Sequence, residues 1–213
     1  AHPAPPRIKR ALGGNTMKPE QIALVLIDIQ KDFWEPMSSD QTFKAFPENV
    51  AKLLSISREK GYNIIHVRSV FQPDRSDWML FYRPEGRGQI PCIAGTEGTE
   101  FTEFAKPNEC EKIIEKQTFD AFIGTGLDEH LQSHGIKTVL IAGLETSVCV
   151  LFTANSAYLR KYLPLVMSDA CADTKERHEN ALEMYGDLSF KTITTSRLID
   201  DIQSINELIK DFV

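Results

Sequence analysis

The chain lacks the features that would indicate a membrane or nucleic-acid function. Its longest apolar runs, such as Ile22–Ile27, are far too short to cross a bilayer, so we expect no membrane segment. Positive charge is scarce, because 24 lysine and arginine residues stand against 30 aspartate and glutamate residues, for a net charge of −6. Nucleic-acid binding needs a basic face, which is not gathered here. The composition therefore favours a small-molecule ligand.

Cysteine is also sparse, and its spacing excludes the usual structural roles. The chain has 4 cysteines without a C-x-x-C pair or interleaved histidines, so no structural zinc site is expected. A disulfide framework is not expected in a chain of 213 residues, which favours a reducing compartment and predicts a cytoplasmic protein. Residues 1–18 begin with prolines and basic side chains, lack the apolar core of a secretory signal, and are predicted to form a flexible arm.

Residues 19–213 are predicted to form a single domain in which strands and helices alternate. Short apolar runs predict strands at 22–28, 62–68, 111–116, 137–142, 163–167 and 190–192. Amphipathic patterns predict helices at 47–60, 127–133, 147–161, 175–185 and 197–210, and residues 69–108, with four prolines, predict long loops. This alternation indicates an α/β fold with three αβα layers and a doubly wound, six-stranded, mostly parallel sheet.

Three chemically distinct residues follow predicted strands. Asp28 closes the first strand, Lys116 closes the third, and Cys149 follows the fourth at the start of a helical pattern. Ligands of such sheets bind outside the carboxyl ends of the strands, so a base, a cation and a nucleophile are predicted to converge in one crevice. Because a helix N-terminus is electropositive, we also expect the pKa of Cys149 to be lowered.

Three segments carry a resemblance to a known family. They are residues 26–33 (LIDIQKDF), 115–122 (EKQTFDAF) and 142–150 (AGLETSVCV). Together, and in this order, they resemble the signature blocks of the isochorismatase-like cysteine hydrolases, which include nicotinamidases and N-carbamoylsarcosine amidases. Each block is weak alone, whereas the three together are specific. The resemblance spans roughly residues 21–196.

The resemblance implies a role for each of these residues. Cys149 would be the nucleophile, Asp28 the base that takes its proton, and Lys116 the cation that holds Asp28 and the substrate in register. The family has a cis peptide bond before the nucleophile, which maps to Leu144–Glu145, and the backbone N–H groups of Glu145 and Cys149 would form the oxyanion hole. The chemistry implied is hydrolysis of an amide through a thioester.

The branch of the family is indicated by two features. Isochorismatases proper cleave a vinyl ether and usually lack the cysteine, so Cys149 favours hydrolysis of a C–N bond in a small amide, carbamoyl or ureido compound. Nicotinamidases carry a metal-binding Asp-x-His motif after the second strand, and residues 66–74 do not contain it, so we expect no metal and no other cofactor. A vinyl ether hydrolase, a nicotinamidase and a non-catalytic family member remain the alternatives.

The substrate pocket is predicted less specifically. Aromatic side chains could wall a small apolar pocket, and an arginine in or beside the long loops could pair with a substrate carboxylate. The aromatic candidates are Phe33, Trp34, Trp78 and Phe122, and the arginines are Arg68, Arg75, Arg83 and Arg87, of which Arg68 is our choice. The resemblance also implies a homo-oligomer, either a dimer or a tetramer.

Overall fold

A six-stranded sheet forms the centre of the protein. The computed structural model describes residues 17–84 and 90–200. The strands are β1 Ile22–Ile27, β2 Asn63–Ser69, β3 Lys112–Lys116, β4 Thr138–Leu144, β5 Leu163–Ala172 and β6 Lys191–Ile193. They lie in the order β3-β2-β1-β4-β5-β6, and each neighbouring pair is parallel. The chain thus winds outward in both directions from β1 and β4, which creates a crevice at their carboxyl ends.

Helices cover both faces of the sheet. They are α1 Lys31–Trp34, α2 Phe46–Lys60, α3 Leu127–Ser133, α4 Leu151–Leu159, α5 Lys175–Tyr185 and α6 Thr195–Asp200. Alternate residues of the fully buried β1 serve two cores. Leu24 and Leu26 pack with side chains of α2, whereas Val25 and Ile27 pack with side chains of α3 and α4. The predicted three-layer, doubly wound α/β fold is confirmed.

The structure differs from the prediction in two places near the carboxyl ends of the strands. β5 continues beyond residue 167 because Cys171 and Ala172 pair with Gly143 and Leu144 after a register shift. The helix predicted at 147–161 is divided into a π-helical turn, Thr146–Val150, and the α-helix α4. Both departures concentrate at the end of β4, where regular pairing changes to the turn that carries Cys149.

Close approach of two backbones explains the glycine at the end of β4. Gly143 has φ 134°, and a Cβ at this position would lie 2.0 Å from the carbonyl oxygen of Ile27 in β1. Only glycine allows this approach. The contact draws the end of β4, and the turn that follows it, close to the end of β1.

Long loops connect β2 to β3, as predicted. Their described part contains short 3₁₀ turns and one isolated bridge, Phe71 with Ile93, and Phe101 forms a second bridge with Gln30 after β1. Over the described residues the 3₁₀ turns are Pro19–Gln21, Glu35–Met37, Gln41–Phe43, Leu80–Tyr82, Glu97–Thr99 and Glu103–Ala105. No helix within residues 17–84 and 90–200 is long and apolar enough to cross a membrane.

Several predictions for the chain ends fall outside the described residues. Residues 1–16 of the predicted arm and the end of the predicted helix 197–210 lie there. Met17, the first described residue, is buried in the same core cluster as Leu24 and Leu26, and the boundary of the arm at residue 18 stays a prediction.

Glu111 joins the start of β3 to β2 and α2. Its buried carboxylate accepts hydrogen bonds from Arg58 Nε at 2.7 Å and from the backbone N–H of Asn108 at 2.8 Å, and lies 2.9 Å from His66 Nε2. Burial raises the pKa of Glu111, but these hydrogen bonds outweigh it and lower the pKa from 4.5 to about 2. The ionised carboxylate therefore stabilises the edge of the sheet that ends at Lys116.

We expect Glu111→Gln to lower the free energy of unfolding by about 2–3 kcal/mol at pH 7. A carboxyl whose folded-state pKa is lowered stabilises the fold fully above its unfolded pKa, so the contribution is complete at neutral pH, declines below about pH 4.5 and is lost as the pH passes about 2. Urea unfolding of wild type and Glu111→Gln at about pH 7 and pH 3 measures it. Glu20→Gln, at an exposed ion pair, is the control, and a difference that stays constant with pH would contradict the prediction.

Candidate active site

The carboxyl ends of β1 and β3 and the turn after β4 bring Asp28, Lys116 and Cys149 into one buried cluster. Lys116 Nζ lies 2.6 Å from Asp28 Oδ2 and 3.5 Å from Cys149 Sγ. Lys116 is 1% exposed and Asp28 is fully buried, so both charges are shielded from water. Asp28 has φ 51°, a left-handed conformation that turns the chain immediately after β1. One ammonium group thus contacts both the carboxylate and the thiol.

Ser69 completes this cluster and was not predicted from the sequence. Its hydroxyl donates to Asp28 Oδ1 at 3.0 Å and accepts from Lys116 Nζ at 2.9 Å. Lys116 Nζ also donates to the carbonyl oxygen of Thr118 at 2.9 Å. The sequence did contain a signal for Ser69, because this residue directly follows the second predicted strand. In the sheet, β2 lies between β1, which precedes Asp28, and β3, which carries Lys116.

The turn between β4 and α4 presents Cys149. The Leu144–Glu145 peptide bond is cis, as the resemblance implies. The carbonyl of Glu145 accepts from the N–H groups of Val148 and Val150. Ser147 donates from its N–H and its hydroxyl to Asp173 Oδ2, at 2.9 and 2.6 Å. These contacts fix the turn on both sides of the cysteine.

The protonation of the cluster differs from the expectation. Burial raises the pKa of the Cys149 thiol well above its ordinary value, and Asp28 raises it further, although Lys116 opposes the shift. The predicted lowering of this pKa is therefore wrong, because removal from water outweighs the electropositive helix start. Burial lowers the pKa of Lys116, but the neighbouring Asp28 and Cys149 outweigh it and raise that pKa. At neutral pH the thiol is protonated beside a charged lysine, so it needs a base to become a nucleophile.

A pocket of about 850 Å³ reaches this cluster. Its lining includes Ser69, Lys116 and Cys149. The apolar lining residues are Phe33, Pro36, Met37, Met79, Phe81, Tyr82, Ile90, Pro91, Phe119, Val148 and Phe152, and the polar ones are Asp32, Glu145, Ser147 and Arg177. The nucleophile candidate therefore faces a pocket that is mostly apolar and carries charge at a few positions.

Two of the aromatic residues predicted for the pocket lie in the cores instead. Phe33 lines the pocket, whereas its neighbour Trp34 stacks on Phe46 of α2 at 4.8 Å between ring centroids. Successive side chains of a helix point in different directions, so α1 divides these two between the pocket and the core. Phe122 is buried beside α3 and α4 and stacks on Tyr162 at 6.1 Å.

Arg68 and Trp78 also lie outside the pocket lining. Arg68 on β2 forms an ion pair with Glu115 of the adjacent β3, with Nε 3.1 Å from the carboxylate. Trp78 is buried under the long loop, and its indole N–H donates to the carbonyl oxygen of Gln72 at 2.7 Å. Each side chain finds its partner locally, which the pattern of the sequence did not reveal.

Arg177 is the pocket arginine that the sequence analysis missed. It lies on α5, in the first turns after β5, and its side chain is 56% exposed. Of the predicted alternatives, Arg75 and Arg83 contact Trp78, and Arg87 lies outside the described residues. Ligands bind near the carboxyl ends of parallel strands, so the position of Arg177 shortly after β5 could have indicated its role.

Glu145 adds a carboxyl group to the same pocket lining as Arg177. Burial raises the pKa of Glu145, and the nearby Asp173 raises it further, while Arg177 opposes the shift. Arg177 Nε lies 4.0 Å from Asp173 Oδ1. The pocket therefore offers a guanidinium and a carboxyl group as polar contacts for a ligand.

Asp32 holds the long loop against the pocket. Its Oδ2 accepts the backbone N–H of Cys92 at 2.7 Å. A Cβ at position 98 would lie 1.9 Å from the same oxygen, so Gly98 leaves room for the carboxylate. This arrangement places Ile90 and Pro91, which precede Cys92, in the pocket lining.

The donor groups near the cluster do not fit a divalent metal. Within residues 17–84 and 90–200, no three His, Cys, Asp or Glu side chains are grouped to hold an ion. β2 ends at Ser69 and is followed by Val70 and Phe71, and these residues supply neither an imidazole nor a carboxylate.

Comparison with known proteins identifies the family. A family model described as the isochorismatase domain matches residues 22–197. The chain belongs to the isochorismatase family. This match contains all the strands of the sheet, together with Asp28, Lys116 and Cys149.

Relatives in the isochorismatase family differ in what their names state. An uncharacterized isochorismatase family protein of Bacillus subtilis is 30% identical over 91% of this chain and 97% of its own. A probable inactive nicotinamidase of Arabidopsis thaliana is 34% identical, over 76% and 87%. The maleamate amidohydrolase of Pseudomonas putida is 27% identical, over 78% and 81%. The family thus contains amidohydrolases as well as members named inactive.

A solved structure agrees with the family assignment. The crystal structure of an isochorismatase family protein from Desulfovibrio vulgaris has a TM-score of 0.75 and 29% identity to this chain. The match covers 84% of this chain and 97% of the other. The isochorismatase-like arrangement of sheet and helices is therefore shared along nearly the whole of that protein.

Proposed function

We propose that this protein is a metal-independent cysteine hydrolase of a small amide, carbamoyl or ureido compound, acting through a thioester. The observation that carries the proposal is the buried contact of Lys116 Nζ with both Asp28 Oδ2 and Cys149 Sγ. Lys116 and Cys149 also line the 850 Å³ pocket. A carboxylate, an ammonium and a thiol in contact are the groups that a cysteine nucleophile needs.

The reaction begins with a neutral thiol. As Cys149 Sγ attacks the substrate carbonyl, Asp28 takes the thiol proton, and Lys116 stabilises the negative charge that the pair carries. The backbone N–H groups of Glu145 and Cys149 are proposed to hold the oxyanion. The C–N bond then breaks, and Asp28 gives its proton to the leaving nitrogen.

Water completes the cycle. Asp28, again a carboxylate, takes a proton from a water molecule as it attacks the thioester carbonyl. The C–S bond breaks, and the proton returns from Asp28 to the thiolate. Each turnover consumes one amide and one water, releases one amine or ammonia and one carboxylic acid, and restores the starting protonation of the cluster.

Arg177 indicates the substrate class within this reaction. It contributes a guanidinium, which binds a carboxylate in bidentate geometry, to a lining that is otherwise mostly apolar. The maleamate amidohydrolase relative, by its name, acts on an amide that carries a carboxylate. We therefore propose a small amide whose second functional group is anionic.

We expect Arg177→Met to raise KM for carboxylate-bearing amides by about 10–100-fold while changing kcat little, because the charged contact is lost equally from the ground state and the transition state. Neutral amides should be turned over as by wild type. Lys175→Met, which removes an exposed charge from the same helix, is the control. Equal KM values for wild type and Arg177→Met on every anionic substrate would contradict this assignment.

Ammonia release from a panel of amides tests the proposed function. The panel pairs carboxylate-bearing amides, carbamoyl acids and ureido acids with neutral amides and nicotinamide, each with and without a chelator. Ammonia release that the chelator does not change, together with a mass increase from an acyl group on Cys149, supports the proposal. Chelator sensitivity favours nicotinamidase-like chemistry. Absence of ammonia release from every amide favours vinyl ether hydrolysis or a non-catalytic role.

The cytoplasmic location and the assembly into a dimer or tetramer stay predictions from the sequence.

A further inference from the structure

The base of the proposed reaction is held by two buried polar residues in addition to Lys116. We propose that Gln30 and Ser69 form a positioning unit, in which Gln30 fixes Ser69 and Ser69 fixes both Asp28 and Lys116. This inference rests on the proposed function, because it assigns the residues that keep its base and its cation in place.

Ser69 is connected to both charges at once. Its hydroxyl gives its single proton to Asp28 Oδ1 at 3.0 Å and accepts a proton of Lys116 Nζ at 2.9 Å. Asp28 Oδ2 contacts Lys116 directly at 2.6 Å, so the three side chains close a ring. Both carboxylate oxygens therefore have a defined neighbour, which fixes the plane of the carboxylate beside the ammonium that also contacts Cys149 Sγ.

Gln30 fixes the backbone of Ser69 at two points. Gln30 Oε1 accepts the N–H of Ser69 at 2.8 Å, and Gln30 Nε2 donates to the carbonyl oxygen of Ser69 at 2.9 Å. The same Nε2 donates to the carbonyl oxygen of Thr99 at 3.0 Å. Gln30 is fully buried, so its amide has no competition from water.

The hydrogen bonds between Gln30 and Ser69 extend the pairing of β1 with β2. The last backbone bond between these strands runs from the N–H of Asp28 to the carbonyl of Val67. After this bond the chain turns away from β2, because Asp28 has φ 51°. The side-chain amide of Gln30 then forms with Ser69 the two hydrogen bonds that a backbone peptide of a longer β1 would form. The ends of β1 and β2 are thereby held together at the point where the base is placed.

The hydroxyl of Ser69 is expected to matter for chemistry more than for packing. It fills little volume, but it contacts both the carboxylate of Asp28 and the ammonium of Lys116. We expect Ser69→Ala to lower kcat by about 10–100-fold with little change in KM, because a displaced catalytic group slows the step without weakening substrate binding.

The control is another buried serine. Ser57 on α2 is fully buried, and its hydroxyl has no hydrogen-bond partner within the described part of the chain. Ser57→Ala removes the same atom from a buried position away from the pocket and should leave kcat unchanged. Ser69→Thr keeps the hydroxyl and should restore most of the kcat lost in Ser69→Ala.

Gln30 is tested through its coupling to Ser69. If Gln30 acts through Ser69, the double variant should lower ln kcat by less than the sum of the decreases caused by Gln30→Met and Ser69→Ala. If the two residues act independently, the two decreases should add. Additive effects would overturn the link between them. Should Gln30→Met fail to fold, the Ser69→Ala and Ser57→Ala pair still decides the role of the hydroxyl.

A second readout works without any substrate. The rate of Cys149 alkylation by iodoacetamide at about pH 7, resolved by mass spectrometry with the exposed Cys110 as internal reference, reports the same base. This rate should fall several-fold in Ser69→Ala and stay unchanged in Ser57→Ala. An unchanged rate in Ser69→Ala overturns the positioning role, whereas a lower rate in a protein that hydrolyses no amide rejects the proposed function and keeps the positioning unit.

Discussion

Cys149→Ala is expected to reduce kcat for the amide substrate by about 10⁴-fold or more, because the variant cannot form the thioester and retains only binding and the oxyanion contacts. Its KM should stay within a few fold of wild type, since the side chain is small and only 7% of the residue is exposed to the pocket. Steady-state ammonia release over the panel measures both constants. Intact mass after rapid acid quench should show an acyl adduct in wild type and none in the variant.

The other cysteines are the matched controls for this loss. Cys110 is exposed, and Cys171 is buried beside β4, with its thiol facing the carbonyl oxygen of Ile141. Cys110→Ala and Cys171→Ala should retain the wild-type acyl adduct and a kcat within a few fold. Full turnover by Cys149→Ala would refute covalent catalysis and indicate direct attack of water on the amide.

Lys116→Met is expected to abolish activity and also to lower the free energy of unfolding by about 3–5 kcal/mol. The reason is that Asp28 would stay buried without the ammonium that lies 2.6 Å from it, and an uncompensated buried charge is strongly destabilising. Urea unfolding at neutral pH measures the stability, and ammonia release measures the activity. If Lys116→Met is as stable as wild type, then Lys116 does not compensate the buried charge of Asp28.

A double variant separates the two effects. In Asp28→Asn/Lys116→Met neither buried charge remains, and asparagine tolerates the left-handed φ of 51° at this position. We expect the double variant to regain most of the lost stability without regaining activity, since the base is gone. Lys175→Met, which breaks an exposed ion pair with Glu179, should change neither quantity measurably.

The sequence predicted the fold because its signals are local. The apolar run of β1, with all six residues buried, and the helix α2, which ends at Gly61 with φ 70°, are encoded by neighbouring residues. α3 and α5 were predicted at their observed bounds. The prediction failed where pairing between distant segments decides the structure, as in the extension of β5 along the end of β4.

The meeting of Asp28, Lys116 and Cys149 was predictable from the order of elements. Each follows or ends a parallel strand, and the carboxyl ends of such strands share one edge of the sheet. The pocket wall was not predictable in the same way. Trp34 and Phe33 are adjacent in the chain, yet one packs on α2 and the other lines the pocket, because helix geometry separates neighbouring side chains.

By itself, therefore, the sequence determined the strand and helix alternation, the doubly wound topology and the polar residues at strand ends, all of which depend on local pattern and on the rules of parallel sheets. Only the tertiary structure decided that Ser69 joins the base to the cation, that Arg177 lines the pocket and that the Cys149 thiol is protonated. These properties depend on distances between residues far apart in the chain and on their removal from water, which arise when the layers pack.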